Sequence, residues 1–176
     1  MQIERFEVAI PDADLADMRR RIDDTRWADD FGNADWRYGV ERNWLADMVR
    51  FWRDEYDWRA EERRMNRHPH YRTEIDGVPI HFLHIPGKRL PGGPAPTPLL
   101  LIHGWPWTFM DYFDLIAPLT DPAAHGGNPH EAFDVVIPSL PGYAFSAPLT
   151  KTGLTIPRLA ELFARRGILD RCLQGG

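Results

Sequence analysis

The stretch that decides the fold is PLLLIHGWPWTFMDYF, residues 98–113. Four apolar residues, Leu99 to Ile102, run directly into His103, Gly104, Trp105 and Pro106, the pattern of a buried strand ending in a constrained loop. A helix is predicted from about Thr108 to Leu119, and after the polar loop TDPAAHGGNPHE a second buried strand, FDVVIPSL, spans residues 133–140. Strand, helix, strand in that order implies a right-handed crossover and a parallel pair, hence α/β architecture. Ligands bind beyond the carboxyl ends of the strands in such sheets, which places residues 103–106 on the functional rim. Gly104 lets a ligand approach the main chain, and Pro106 removes a donor and fixes its own φ. A loop of this kind can hold an N–H outward, which is half of an oxyanion hole. Taken alone, the tetrad also reads as a plain strand-to-helix turn with a core histidine.

Upstream, YRTEIDGVPIHFLHIP alternates, turns at Asp76 and Gly77, and alternates again, which predicts an antiparallel hairpin. GKRLPGGPAPTP follows as a surface loop without the glycine and lysine spacing of a phosphate-binding loop. Residues 1–70 read as helical. Leu15, Met18 and Ile22 recur at helical spacing after Pro11 and Asp12, and Trp44, Met48 and Trp52 form a stripe with Leu45 and Val49 beside it between about Glu41 and Glu55. A third, highly charged segment around Arg59 to Arg67 is expected on the surface. Five of the seven tryptophans (Trp27, Trp36, Trp44, Trp52, Trp58) fall in this half, where large aromatics are expected to anchor it onto a neighbouring surface. A last helix is predicted near Ile156 to Arg165, and a strand near Ile168 to Leu173.

The totals exclude several classes. With 176 residues and 43% apolar content the chain can build a core, and its net charge is −5. Residues 1–70 carry 13 basic and 17 acidic side chains and residues 71–176 carry 8 and 9, so neither half suits nucleic acid. Cys172 is alone and is expected to be an inert buried thiol, with no disulfide framework. The first twenty residues lack the apolar run of a signal peptide, and no window approaches a membrane span. A cytoplasmic location is expected.

Candidate reactive groups are few. Ser139 and Ser146 lie outside any Gly-x-Ser-x-Gly elbow and read as turn hydroxyls. His68 with His70, His81 with His84, and His125 with His130 lack a third metal ligand at usable spacing, and His81 and His84 face opposite sides of an extended strand. They read as core or solvated histidines. The acidic pairs Asp23 with Asp24 and Asp29 with Asp30 read as a solvated face. No dinucleotide fingerprint is present.

HGWP after an apolar strand, with FDVVIPSLPGYAFS (Phe133 to Ser146) about thirty residues later, resembles the epoxide hydrolases of the α/β-hydrolase fold. DTRW (Asp24 to Trp27), YDWRAEERRMNRHPHY (Tyr56 to Tyr71) and EIDGVPIHFLH (Glu74 to His84) resemble the N-terminal segment of the microsomal and juvenile-hormone type. The resemblance implies a helical N-terminal meander over residues 1–70, followed over residues 71–176 by the first, incomplete part of an α/β-hydrolase core. It implies that the Trp105 backbone N–H stabilises an oxyanion, that the Trp105–Pro106 bond is cis, that His103 orients the loop without transferring protons, and that no metal or cofactor takes part. Two positions depart from the pattern. Trp107 and Thr108 stand where Gly-Ser is common, which makes Trp107 a candidate wall of the substrate channel, and Ala144 stands where glycine is frequent.

The family's chemistry uses an Asp nucleophile directly after Gln-Gly-Gly, cap tyrosines, and a His with an acidic partner. The sequence ends at Gln174, Gly175 and Gly176, so the resemblance implies a fragment truncated just before the nucleophile and inactive alone. Its parent substrate would be a small apolar epoxide, and an unfinished sheet could self-associate. The alternatives are another α/β-hydrolase such as an esterase, separated by the residue that follows Gly176, and a non-catalytic binding module.

Overall fold

A computed structural model describes residues 2–165; the strand expected near Ile168 to Leu173, Cys172 and the final glycines lie outside the described residues. The chain divides into two compact units, Met1–Glu7 with Met65–Gly176, and Val8–Arg64.

The larger unit is a five-stranded mixed sheet in the order β1-β2-β3-β5-β4. Its strands are β1 (Glu4–Phe6), β2 (His70–Ile75), β3 (Val78–Ile85), β4 (Thr97–Leu100) and β5 (Phe133–Pro138). The predicted hairpin is present, with Ile75 opposite Val78 and φ of 53° at Asp76 and 74° at Gly77, the positive values that a tight two-residue turn demands. β3 pairs antiparallel with β5, and β4 pairs parallel with β5 as predicted. β1 is an addition: three residues of the segment read as helical form an edge strand on β2, too short to show a period.

β3 is buried on both faces. Ile80 and Phe82 join Ile75, Val78, Val136, Leu162 and Phe163 in one apolar cluster, the last two supplied by α5 (Ile156–Arg165). Fully burying side chains of this size stabilises by about 1.5–3 kcal/mol each. On the opposite face α4 (Phe113–Thr120) packs on β5 through its buried Phe113 and Ile116. Among the described residues no helix is long and apolar enough to cross a membrane.

The expected buried strand Leu99–Ile102 is corrected. The strand starts two residues earlier and stops at Leu100, Leu99 and Leu100 are only half-buried, and Ile102 is 44% exposed. Among the described residues it stands at the end of the strand order, with a neighbour on one side alone, which explains this.

The smaller unit contains α1 (Asp12–Asp23), α2 (Arg42–Asp54) and most of α3 (Trp58–Met65). The Glu41 carboxylate caps α2 by accepting from the N–H groups of Asn43 and Trp44. α1 and α2 are tied by Arg53, which donates to both oxygens of Asp23 at 2.5 and 3.0 Å. Trp36, Trp44 and Trp52 are each 47% exposed, so none of the three is buried. Trp36 and Trp44 meet each other edge-on instead, with ring centroids 5.2 Å apart. The charged helix is less superficial than expected. Glu62 is 7% exposed and accepts from the Ile10 N–H at 2.7 Å, the Trp58 indole at 2.8 Å and Arg59 at 2.5 Å. Burial alone would push the Glu62 carboxyl up; the Arg59, Ile10 and Trp58 donors outweigh it and hold the group below the usual carboxylate range.

Candidate active-site loop

The loop after β4 is held at several points. The Leu101 N–H donates to Val136 O at 2.9 Å, continuing the ladder one residue past the strand. The Tyr112 hydroxyl donates to Ile102 O at 2.8 Å. On the far side, Thr108 and Asp111 form a reciprocal capping box ahead of a 3-10 turn, Phe109–Tyr112, a T-x-x-D signal readable in the sequence. Between these anchors the Trp107 N–H donates to Gly104 O at 2.9 Å, and the enclosed Trp105–Pro106 bond is cis, as the resemblance implies.

His103 sits beneath this turn, 4% exposed. The Leu140 N–H, which can only donate, lies 3.0 Å from its Nε2, so Nε2 carries no proton. Nδ1 therefore bears the hydrogen and donates to Gly104 O at 3.1 Å. The Gly104 carbonyl thus accepts two hydrogen bonds. The N–H of the same peptide unit, that of Trp105, makes no hydrogen bond among the described residues. The surroundings are open: a Cβ added at Gly104 would meet only the Trp107 ring, at 4.0 Å, while the Trp105 and Trp107 side chains are 79% and 58% exposed. The structure therefore gathers the tetrad around one amide whose N–H is unbonded among the described residues, with Trp107 held to it through Gly104 O. By contrast, the hollow of about 520 Å³ lined by Gln2, Glu4, Arg72, Thr73, Glu74 and Pro79 lies at the β1–β2 edge and includes none of them.

Leu140 was not a candidate, since no residue pattern in its own loop marks its main-chain N–H as a donor. It opens the loop 140–146 after β5. Ala144 there has φ of 42°, a conformation that costs a residue with a Cβ about 1–2 kcal/mol and that glycine adopts freely. The departure from glycine is therefore a local strain and not a neutral change.

The serines flanking this loop need correcting. Ser139 and Ser146 are both fully buried, and they join a network instead of serving only the turn. Ser146 Oγ accepts from the His81 N–H and donates to Ser139 O, each at 2.8 Å. Ser139 Oγ lies 2.8 Å from His81 Nδ1, His81 Nε2 lies 2.8 Å from His70 Nδ1, and His70 Nε2 lies 2.9 Å from Met65 O. A carbonyl can only accept, so the direction is set throughout: Ser139 donates to His81, His81 to His70, and His70 to Met65 O. Each imidazole holds one proton. Burial drives His81 down to about 2, assisted by His70 and Arg72, and burial lowers His70 as well.

The other candidates resolve as structural groups. His84 is half-buried, and burial lowers it against the opposing pull of Asp134. Its neighbour on the other face, His81, belongs to the network. His125 and His130 are exposed, and no group of three metal-ligating side chains occurs among the described residues. Asp23 pairs with Arg53 and Asp24 with Arg20, while Asp30 accepts from the N–H groups of Asn33 and Arg42.

A family model described as "Epoxide hydrolase N terminus" matches residues 3–112. The chain belongs to the epoxide hydrolase N-terminal family. A putative epoxide hydrolase of Stigmatella aurantiaca (strain DW4/3-1) is 43% identical, aligned over 99% of this chain and 40% of its own length. Epoxide hydrolase 1 of Oryctolagus cuniculus is 36% identical over 99% of this chain and 39% of its own. The crystal structure of juvenile hormone epoxide hydrolase from the silkworm Bombyx mori matches with a TM-score of 0.81 at 30% identity, over 93% of this chain and 38% of that one. This epoxide hydrolase N-terminal chain thus spans about two fifths of the length of those relatives, and its mixed sheet is part of an α/β-hydrolase core.

Proposed function

We propose that the chain contributes the oxyanion loop of an epoxide hydrolase, in which water adds to a small apolar epoxide to give a vicinal diol. The observation that carries this reading is the Trp105 N–H, unbonded among the described residues while the carbonyl of its own peptide accepts from His103 and Trp107. Hydrogen bonds to a carbonyl polarise the amide and strengthen its N–H as a donor. In the proposed reaction an Asp carboxylate opens the epoxide to an ester, water attacks the ester carbonyl carbon, and the oxygen that gains charge accepts from Trp105. A preorganised donor of this kind contributes about 10²–10³ in rate. The exposed rings of Trp105 and Trp107 form an apolar rim suited to such a substrate, with Trp107 narrowing the approach.

The described residues hold no group assigned to nucleophilic attack in this scheme, and the proposal is that residues 1–176 alone leave an epoxide intact. The outer edge of β4, which has no partner strand among the described residues, is a surface through which copies associate. To test the assignment, residues 1–176 are joined to the C-terminal three fifths of the Stigmatella relative and diol formation from styrene oxide is followed by chromatography. Turnover by the joined protein and none by residues 1–176 is the expected result. A folded joined protein that cleaves a nitrophenyl ester but no epoxide would establish an esterase instead.

A further inference from the structure

We infer that the buried Ser139–His81–His70 relay is the device that positions the oxyanion loop, with His81 as its central positioning residue; this rests on the reading of Trp105 as the oxyanion donor. His81 reaches the loop from both sides. On one side its main-chain N–H fixes Ser146 Oγ and its ring fixes Ser139 Oγ, while Ser146 Oγ in turn holds Ser139 O and the Ser139 N–H returns to His81 O at 2.8 Å. Four hydrogen bonds therefore clamp the peptide just before Leu140, whose N–H is the group that sets the His103 tautomer. The loop is closed around the same point, with the Gly142 N–H on Ser146 O, the Tyr143 N–H on Leu140 O and the Ser146 N–H on Tyr143 O. On the other side, the His81 ring packs edge-on against Phe109 at 5.0 Å. Phe109 opens the 3-10 turn that follows the capping residue Thr108.

The relay thus reaches both flanks of the Gly104–Trp105 peptide. The Leu140 N–H donates to His103, His103 donates to Gly104 O, and the Trp105 N–H is left without a partner among the described residues. Core packing alone would be served by apolar side chains at 81, 139 and 146. What an apolar side chain lacks is direction: the relay runs one way because Met65 O can only accept, and that fixes which ring nitrogen of His81 receives the Ser139 hydroxyl.

The test is nuclear magnetic resonance on the ¹⁵N-labelled chain carrying Ser146→Ala, with Ser139→Ala as a milder variant that removes a single bond. Expected are a displaced ¹⁵N resonance for His103 Nε2, a displaced Trp105 amide, and exchange of the Leu140 amide faster by about tenfold, with the amides of α1 and α2 unmoved. The Ser139 variant supplies the same readouts if the Ser146 variant does not fold. Unchanged His103 and Trp105 resonances in a folded variant overturn the positioning role and leave the oxyanion reading standing. Displaced resonances together with an inactive joined protein overturn the oxyanion reading and leave the positioning role standing.

Discussion

Acidification will destabilise the fold well above the range in which carboxylates protonate, because His81 is held neutral. In the unfolded chain a histidine titrates near 6.5; in the folded chain burial lowers His81 to about 2. Below pH 6.5 the unfolded state therefore binds a proton that the folded state refuses, so stability is fully present above 6.5 and is lost as pH falls, at about 1.4 kcal/mol per pH unit. From pH 7.5 to 4.5 this single group removes about 2.7 kcal/mol. His70, shifted in the same direction by burial, adds to the loss. Asp17, Asp23 and Asp121, each held below the ordinary aspartate value mainly by an arginine or lysine hydrogen bond, contribute only at more acid pH. Urea unfolding followed by tryptophan fluorescence at half-unit steps between pH 7.5 and 4.5 measures the slope. Histidine ¹⁵N spectra identify the group, since His81 should keep one unprotonated nitrogen throughout. A loss under about 0.5 kcal/mol across that window, or a His81 that protonates near pH 6, would refute the assignment of a directed, neutral relay.

Ala144→Gly should raise stability by about 0.5–1 kcal/mol, since relief of the positive φ exceeds the entropy glycine brings to the unfolded chain; thermal unfolding showing a loss would contradict the strained geometry. Glu62→Ala should cost about 2–3 kcal/mol, because the Ile10 N–H and the Trp58 indole lose their buried acceptor, and Glu62→Gln should recover part of that in the same urea titration. Size-exclusion chromatography with light scattering should show concentration-dependent association of residues 1–176; a monodisperse monomer at every concentration would remove the β4 edge as a contact surface. In the joined protein, His103→Ala should lower kcat by about tenfold or more, with a smaller change in KM, because the loss falls on an interaction made to the transition state.

The hairpin was legible because its turn needs Asp-Gly and its strands alternate, and the β4–β5 parallel pair because two apolar runs flank a helical one. The tetrad 103–106 was legible as a loop for the same local reasons. What escaped was set by partners distant in the chain. The exposure of Leu99 to Ile102 depends on which strand lies alongside, and β1 owes its existence to β2, sixty-odd residues away. The burial of Ser139 and Ser146 follows from His81, which no local pattern links to them. Leu140 was invisible because its contribution is main chain, and any residue but proline would present the same N–H. Ala144 was noticed as a departure, yet only the observed φ shows that it matters.

The unbonded donor at position 105 belongs to the backbone, so its chemistry is independent of the side chain that carries it. Aromatic, aliphatic or polar residues at 105 and 107 would reshape the mouth of the loop while the donor beneath them kept its place, provided His103, Gly104 and Pro106 were retained. Under the proposed oxyanion role, substrate range and reaction type would be separable in this loop, and libraries that vary 105 and 107 together in the joined protein would alter selectivity while leaving the donor in place.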